Sequence, residues 1–407
     1  MGGSRCKFWL PKKKRFCAIP PLPNSEFCGN HSKRSDDAWI QCSIDPSHSV
    51  LQSNLQAHLT RCPLLKHKNS LHLQPFYQKG INGGGGGPHH HHDVITTSHS
   101  KRMAVHSLTP PQFIKLIEKI KSVHATLPHI QDSFNLPEAC KVWINRGIDR
   151  KIPFQEKHVI QQASILGNLE KLGAFNSSGI GENPNPSSPA VVEFGAGRGY
   201  LTQMLADCYG VSKADRSLRQ IENLILERLR IDIKDLNLNA IASLQGVPFL
   251  AIGKHLCGPA TDMTLRCCVG EHDVSRKSNL RGVSIATCCH HLCQWKHYIN
   301  RGFFLSLGMT EDEFHAITRF SSWAVDADHG SDDIDECESD TTKMRRKDDD
   351  EDDDMLSAKE RGVIGFMCKD IIDMGRLMWM KENGLESELV KYVPSNISPE
   401  NHLLIGK

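Results

Sequence analysis

The chain has 407 residues, a formal net charge of +2 and 39% hydrophobic residues, enough to bury one large domain and some smaller modules. It contains no apolar run of about 18 residues and no secretory signal, so we expect neither a membrane span nor export. Its fifteen cysteines are odd in number and interspersed with histidines, which favours thiols and metal ligands over disulfides. We therefore predict a soluble protein of the nucleus, the cytoplasm or both.

The first 79 residues are basic, with twelve Lys and Arg residues against four Asp and Glu residues, a formal charge of +8. This excess favours a polyanionic partner, and neighbouring aromatic residues could stack on exposed bases. A nuclear localisation signal, a solvated face and a protein-docking module are the alternatives. The residues concerned are Lys12, Lys13, Lys14, Arg15, Lys33 and Arg34, with Phe8, Trp9, Phe16 and Phe27.

Two Cys/His sets have the composition of zinc sites. Residues 1–35 contain C-x10-C-x10-C-x2-H and residues 38–68 contain C-x5-H-x9-H-x3-C. Thiolates and imidazoles suit tetrahedral Zn²⁺, and four protein ligands leave no open position, so both sites are predicted to be structural. The predicted ligands are Cys6, Cys17, Cys28 and His31 in the first set and Cys42, His48, His58 and Cys62 in the second, with His58 and Cys62 on one face of a helix.

A low-complexity linker is predicted over residues 69–108, because its Gly and His tracts offer nothing to bury. A helical segment with interruptions follows over 109–175. Pro110 and Pro111 suit a helix start, and apolar residues then recur at helical spacing. Residues 176–189 are rich in Ser, Gly, Asn and Pro and predict a loop.

Residues 190–407 alternate short apolar runs with longer amphipathic stretches, which predicts an open, mainly parallel α/β sheet. An acidic insertion at 326–356 interrupts this pattern, and we expect a solvated loop because a block of like charges cannot pack. The apolar runs are Val191–Phe194, Phe249–Ile252, Val283–Ala286 and Val363–Met367.

The first of these strands leads into an acid-x-G-x-G-x-G turn, in which Gly195, Gly197 and Gly199 let the backbone approach a ligand closely. The acid, Glu193, would repel a pyrophosphate and attract a cationic ligand. This corner resembles the methionine-contacting turn of Rossmann-like methyltransferases more than a dinucleotide-binding turn. We add Asp232 to the predicted cofactor-binding residues.

Polar residues also follow the second and third strands, where an open α/β sheet places its ligand. The second strand continues as GKHLCGPATD, and the third ends in CCHHLC. We interpret CCHHLC as the polar wall of a pocket, because this segment supplies too few well-spaced ligands for a metal ion. A third zinc site is the alternative. The candidate catalytic residues are Lys254, His255, Asp262, His290 and His291.

With both Cys/His sets, EFGAGRGYLT, GKHLCGPATD, ATCCHHLCQW and SPENHLLIGK in this order, the chain resembles the eukaryotic tRNA 2′-O-methyltransferases that modify the fourth nucleotide of the acceptor stem. The resemblance covers most of the chain outside the linker and the acidic insertion. It implies a Rossmann-like sheet that binds S-adenosylmethionine, a preceding helical segment and two zinc modules that grip tRNA. It also implies methyl transfer to a ribose hydroxyl, which needs a base or a charge that stabilises the oxyanion. No protein partner and no membrane association is predicted.

One departure from the family pattern follows the first helix of the catalytic domain. Rossmann-like sites place there a second strand that ends in a ribose-binding acid. In this chain residues 211–216 lead directly into a stretch with helical spacing that includes Leu229, so we predict that this strand is deleted. Asp215 is a poor substitute because no apolar strand precedes it. The alternative function is therefore a catalytically impaired splice form that acts as a zinc-dependent RNA-binding protein.

Overall fold

The computed structural model describes residues 6–10, 15–17, 20–21, 25–28, 39–45, 48–84, 101, 103, 105–145, 156–174, 189–209, 227–270, 279–326 and 355–407. The chain divides into two compact units, Met1–Gln74 and Pro75–Lys407. No helix among the described residues is long and apolar enough to cross a bilayer. Outside the described residues lie the predicted ligand His31, the basic residues Lys12, Lys13, Lys14, Lys33 and Arg34, the His tract, the loop at 176–188, Asp215 with the rest of 211–216, and insertion residues 327–354.

Among the described residues, the first unit contains two pairs of short antiparallel strands and two α-helices. Its buried hydrophobic residues, among those described, are all cysteines. A segment without an apolar core needs another source of folding free energy, as the sequence predicts for zinc modules. The elements are β1 Trp9–Leu10, β2 Arg15–Phe16, β3 Trp39–Gln41, β4 Ser49–Leu51, α1 Leu55–Leu59 and α2 Pro63–Leu71.

The second unit is built on a six-stranded sheet in the order β6-β7-β8-β10-β9-β5. Five strands run in one direction, and β10 pairs antiparallel with both of its neighbours. The described residues thus contain the predicted mainly parallel sheet, with one antiparallel strand inside it. The strands are β5 Gln131–Asp132, β6 Ala190–Phe194, β7 Phe249–Cys257, β8 Leu280–Cys288, β9 Ser387–Lys391 and β10 His402–Gly406.

Helices cover both faces of this sheet. Successive residues of a strand point to opposite faces, so Ala251 packs in one apolar cluster and Ile252 in another. A third apolar cluster contains no strand residues and lies among helices. Its first long helix starts at Pro110, as predicted, and Thr109 forms a capping box with Gln112. The helices are α3 Pro110–Thr126, α4 Lys141–Ile144, α5 Glu156–Lys171, α6 Tyr200–Tyr209, α7 Pro259–Val269, α8 Arg301–Ser306, α9 Glu311–Phe320, α10 Trp323–Asp326 and α11 Ala358–Glu382.

The prediction of a sheet strand at Val363–Met367 is wrong. These residues lie inside α11, which begins with a capping box between Ser357 and Glu360. A short apolar run has the same appearance in a buried helix as in a buried strand, so periodicity alone does not separate the two. The strands that complete the sheet, β9 and β10, lie further along the chain.

The predicted linker is ordered in its first part. The backbone nitrogens of Gln78 and Asn82 donate to the carbonyls of Asp235 and Lys234, at 2.8 and 2.9 Å. The buried Asn82 side chain donates to two further carbonyls, at 2.7 and 2.8 Å. Residues 75–84 therefore pack on the second unit, which their composition did not indicate.

Candidate functional site

Three parallel strands bring the predicted site residues to one edge of the sheet. β6, β7 and β8 are neighbouring parallel strands, with Phe194 opposite Gly253 and Cys257 opposite Cys288. The glycine turn follows β6, Lys254 lies three residues before the end of β7, and the CCHHLC segment begins at the last residue of β8. Because the carboxyl ends of parallel strands meet at one edge, this is where an open α/β sheet binds its ligand.

The turn after β6 depends on its glycines. Gly195, Gly197 and Gly199 have φ values of 62°, 51° and 75°, in the left-handed region that other residues adopt only with strain. A Cβ atom at Gly195 would also lie 2.8 Å from Cδ2 of Leu256 on β7. Among the described residues, an added Cβ atom at Gly199 would meet nothing within 4 Å, although Gly199 itself is buried. The turn thus packs against β7 at Gly195.

Glu193 lies on β6 with its carboxylate directed to the start of α6. Its Oε2 atom accepts hydrogen bonds from the backbone nitrogen of Thr202, at 3.0 Å, and from the Thr202 hydroxyl. Burial raises the pKa of Glu193, and the Thr202 bonds oppose this rise. A second neighbour, Arg228, donates to the carbonyl of Gly197. Sequence reasoning did not identify Arg228, because it lies 31 residues from its partner.

Asp232, the remaining predicted cofactor residue, has a local role. Its carboxylate accepts from the backbone nitrogen of Lys234 at 3.0 Å and lies 3.2 Å from the Lys234 ammonium. It therefore caps the short 3₁₀ turn Ile233–Asp235. None of its hydrogen bonds among the described residues reaches the glycine turn.

Lys254 is the candidate catalytic residue with the most unusual environment. Its Nζ atom lies 3.1 Å from Nδ1 of His158, which comes from helix α5. Burial lowers the pKa of Lys254 to about 7. Burial also lowers the pKa of His158, and the positive charge of Lys254 lowers it further. His158 was not predicted from the sequence, because this contact joins positions 96 residues apart.

His255 is an extra residue in β7. The pairing of β7 with β8 shifts between Lys254 and Leu256, and His255 has a φ of 60°. Such bulges re-aim neighbouring side chains and are common beside active sites. The His255 ring is exposed and packs edge-on against His158, with 5.9 Å between the ring centroids.

Asp262 and His290, two further catalytic candidates, are buried in a polar network. Nε and Nη2 of Arg376 donate to the Asp262 carboxylate, at 3.1 and 2.6 Å. His290 Nε2 lies 2.7 Å from Oδ2 of Asp373, and His402 Nδ1 lies 2.8 Å from the same oxygen. Both candidates are about 1% exposed, so their contacts support the fold and leave no access for a substrate.

His291 lies at the rim of the site, half-buried, and burial lowers its pKa. Its backbone carbonyl accepts a hydrogen bond at 3.1 Å from Lys101, which also donates to the carbonyl of Cys293. Burial lowers the pKa of Lys101 to about 8. The Cys293 thiol lies 3.2 Å from Arg376. The CCHHLC segment is thus fixed by side chains from distant parts of the chain.

In the first unit, each predicted zinc set is gathered in space. The described ligand atoms of Cys6, Cys17 and Cys28 lie within 4.8 Å of one another, as do those of the second set. The Sγ atoms of Cys42 and Cys62 are 4.0 Å apart, close to the separation of about 3.8 Å expected for two thiolates on a tetrahedral zinc ion. The donor sets therefore fit Zn²⁺.

One detail of the second set was predicted wrongly. His58 lies in α1, but this helix ends at Leu59, and Cys62 precedes α2. The two ligands do not share a helix face. A turn between the helices brings them together with His48, whose Nε2 atom lies 2.9 Å from that of His58.

The comparisons with known proteins agree with this arrangement. A family model described as "Methyltransferase TRM13" matches residues 160–407. A "CCCH zinc finger in TRM13 protein" matches residues 4–32, and a "U11-48K-like CHHC zinc finger" matches residues 39–63. The sheet, its glycine turn and the two fingers thus define a methyltransferase with N-terminal zinc fingers. The chain belongs to the TRM13 methyltransferase family.

Curated relatives carry the name "tRNA:m(4)X modification enzyme TRM13". A rice relative is 52% identical over 217 residues, covering 51% of this chain and 85% of the relative. The human homologue is 30% identical, covering 98% of this chain and 94% of the relative, and the Saccharomyces cerevisiae protein is 26% identical over similar shares. No solved structure matches the chain.

The human alignment also bears on the predicted deletion. It extends over 477 positions, more than the 407 residues of this chain, so the human relative contains segments that this chain lacks. Residues 210–226, where the deletion is predicted, lie outside the described residues. Leu229, placed by the sequence in a helical stretch, lies in irregular structure.

Proposed function

We propose that this chain is an S-adenosylmethionine-dependent tRNA ribose 2′-O-methyltransferase that acts on the fourth nucleotide of the acceptor stem. The observation that carries the proposal is the position of Lys254 one residue after Gly253, which pairs with Phe194 at the start of the glycine turn. A group able to take a proton therefore lies at the strand end next to the predicted cofactor turn. The names of the relatives support tRNA as the substrate.

The residues at the turn fit the proposed cofactor, which supplies an electrophilic methyl group on a sulfonium. The three glycines keep side chains out of the turn, so a ligand could approach its backbone closely. The Glu193 carboxylate would attract the ammonium group of a bound methionine moiety, and the Arg228 guanidinium, held at Gly197, would attract its carboxylate. Both charges are thus placed for a zwitterionic amino-acid group. The Rossmann-like assignment of the sheet is part of this proposal.

Lys254 is proposed as the general base. With a pKa of about 7, a substantial fraction of its side chain is neutral near neutral pH, which suits proton abstraction. The neutral amine would take the proton from the ribose 2′-hydroxyl as that oxygen attacks the methyl group that a bound cofactor would supply, with the cofactor's thioether as the leaving group. His158, 3.1 Å away, is a positioning residue that holds the lysine Nζ at the strand end.

The first unit is proposed to bind the tRNA. Trp9 and Phe16 lie on the β1–β2 hairpin with 5.1 Å between their ring centroids, and they are 47% and 57% exposed. Exposed aromatic rings beside the basic Lys12–Arg15 run are suited to stacking on unpaired bases near a phosphate backbone. In this proposal, structural zinc ions in both fingers hold that surface in shape.

The decisive experiment is methyl transfer from labelled S-adenosylmethionine to unmodified tRNA by the zinc-loaded chain. Alkaline hydrolysis requires a free 2′-hydroxyl, so ribose methylation is read as an alkali-resistant bond after nucleotide four. A tRNA with a 2′-deoxy residue at that position is the matched control and should accept no methyl group. A labelled base with an alkali-sensitive backbone would contradict the ribose chemistry. Failure to bind the cofactor in calorimetry would favour the impaired RNA-binding form.

A further inference from the structure

Three thiols meet at the ends of β7 and β8. Cys257 and Cys288 are paired positions of the two strands, and their Sγ atoms are 3.7 Å apart. The next residue, Cys289, places its Sγ atom 3.3 Å from that of Cys288. All three sulfurs lie within 4.8 Å of one another. This set differs from the CCHHLC ligands considered from the sequence, because Cys257 comes from another strand.

The backbone beside these thiols is strained. Among the described residues, the two non-glycine residues with positive φ are His255, at 60°, and Cys289, at 48°. One is two positions from Cys257, and the other is itself part of the cluster. Such conformations are unfavourable for residues with a side chain and tend to persist where a ligand or a reaction needs them. The strain therefore falls where three sulfurs are brought together.

We propose that Cys257, Cys288 and Cys289 hold one thiophilic divalent cation of the Zn²⁺ class. Two thiolates on a tetrahedral zinc ion lie about 3.8 Å apart, so the observed spacings need only small adjustments. Binding exchanges three thiol protons for the cation, and the resulting site has a formal charge of −1. Cys293 is not a ligand, since its thiol lies against the buried Arg376.

Three protein ligands leave the fourth position of the ion open, unlike the four-ligand fingers of the first unit. Cys257 and Cys289 are only partly buried, so water or a substrate group reaches this position from solvent. The ion would also tie the end of β7 to the end of β8, three residues from Lys254. This inference concerns the thiols alone and does not depend on the proposed methyl transfer.

The test is the metal content of the purified full chain and of a Cys289→Gly variant. Glycine adopts a left-handed φ without strain, so this variant removes one thiol and should keep the fold. We expect it to contain one zinc ion fewer per chain than the wild type while remaining folded. After Co²⁺ substitution, it should also lose part of the thiolate charge-transfer absorption.

Two further variants test whether the lost ion belongs to this cluster. Cys257→Ser should lose the same ion, whereas Cys368→Ala, a buried thiol of α11 outside the cluster, should keep it. Equal zinc content in the wild type, Cys289→Gly and Cys257→Ser would overturn the proposal. A disulfide within the cluster of the freshly purified wild type, detected by mass under non-reducing conditions, would also overturn it.

Discussion

The Nζ atom of Lys254 lies 3.1 Å from Nδ1 of His158, although 96 residues separate them in the chain. Lys254 lies on the inner strand β7, one residue beyond the position that pairs with the end of β6, and His158 belongs to α5 of the segment predicted as a separate helical region. Burial lowers the pKa of both, so the pair binds fewer protons near neutral pH than two exposed groups would. The helical segment therefore contributes directly to the chemistry of the candidate site.

Replacing Lys254 by Met or by Arg should reduce kcat by about 10²–10⁴-fold, because neither side chain can act as a base near neutral pH. The wild-type rate should rise with pH through about 7 and then level off, since the pKa of Lys254 is about 7 and the proposed base is the neutral lysine. Steady-state methyl transfer between pH 5.5 and 9 measures both effects. Full activity of the Arg variant would exclude the base role.

Replacing His158 by Ala should lower kcat by about ten- to a hundredfold through misplacement of the lysine amine, with little change in KM for tRNA. His158→Gln keeps a hydrogen-bond acceptor and should recover part of the loss. Parallel kinetics of the two variants give the comparison. If Gln rescues nothing and KM rises in both variants, His158 acts in substrate binding instead.

Asp262→Asn should destabilise the second unit by about 1.5–3 kcal/mol, because it removes one of the two carboxylates that pair with the buried Arg376. The exposed Asp232→Asn variant should stay within about 0.5 kcal/mol of the wild type. Urea unfolding measures both changes. An active, fully stable Asp262→Asn protein would contradict the structural role that we assign to this carboxylate.

The stability of the second unit should depend on pH through His402. This ring faces Asp370 and Asp373, with His290 packed edge-on against it, and the two carboxylates raise its pKa despite burial. Because the pKa of His402 is higher in the folded state, its charged ring stabilises that state. This stabilisation is complete below the pKa of the unfolded state, about 6.5, and it is lost as the pH rises through the pKa of the folded state. The free-energy difference between the wild type and His402→Gln should therefore be larger at pH 6 than at pH 9. A constant difference would show that the ring does not titrate.

Removing the exposed aromatic rings should weaken tRNA binding. Trp9→Ala and Phe16→Ala should each cost about 1–3 kcal/mol if a base stacks on that ring. Leu73→Ala, in the same unit and 84% exposed, is the matched control and should bind as the wild type does. Filter binding at several salt concentrations distinguishes base stacking from contacts with phosphates, because the affinity due to phosphate contacts decreases as the salt concentration rises. Unchanged affinity in both variants would show that these two rings do not contact the tRNA.

Local patterns predicted much of this molecule. The zinc ligands, the glycine turn and the first three long strands depend on residues near one another in sequence, where spacing and turn chemistry are informative. The partners His158, Arg228 and Arg376 were not predicted, because each is selected by contacts across the fold. The strand at Val363–Met367 was wrong for a related reason, since burial in a helix also produces an apolar run.

The position of β10 between β8 and β9 has a consequence for biosynthesis. Residues His402–Gly406 form an inner strand, so β6, β7 and β8 cannot join β9 and β5 until these residues have left the ribosome. Until then, β8 presents an unpaired edge to other nascent chains, and such edges promote aggregation. A premature stop codon before His402 would therefore divide the sheet, and we expect quality-control proteases to remove such a product during or shortly after translation.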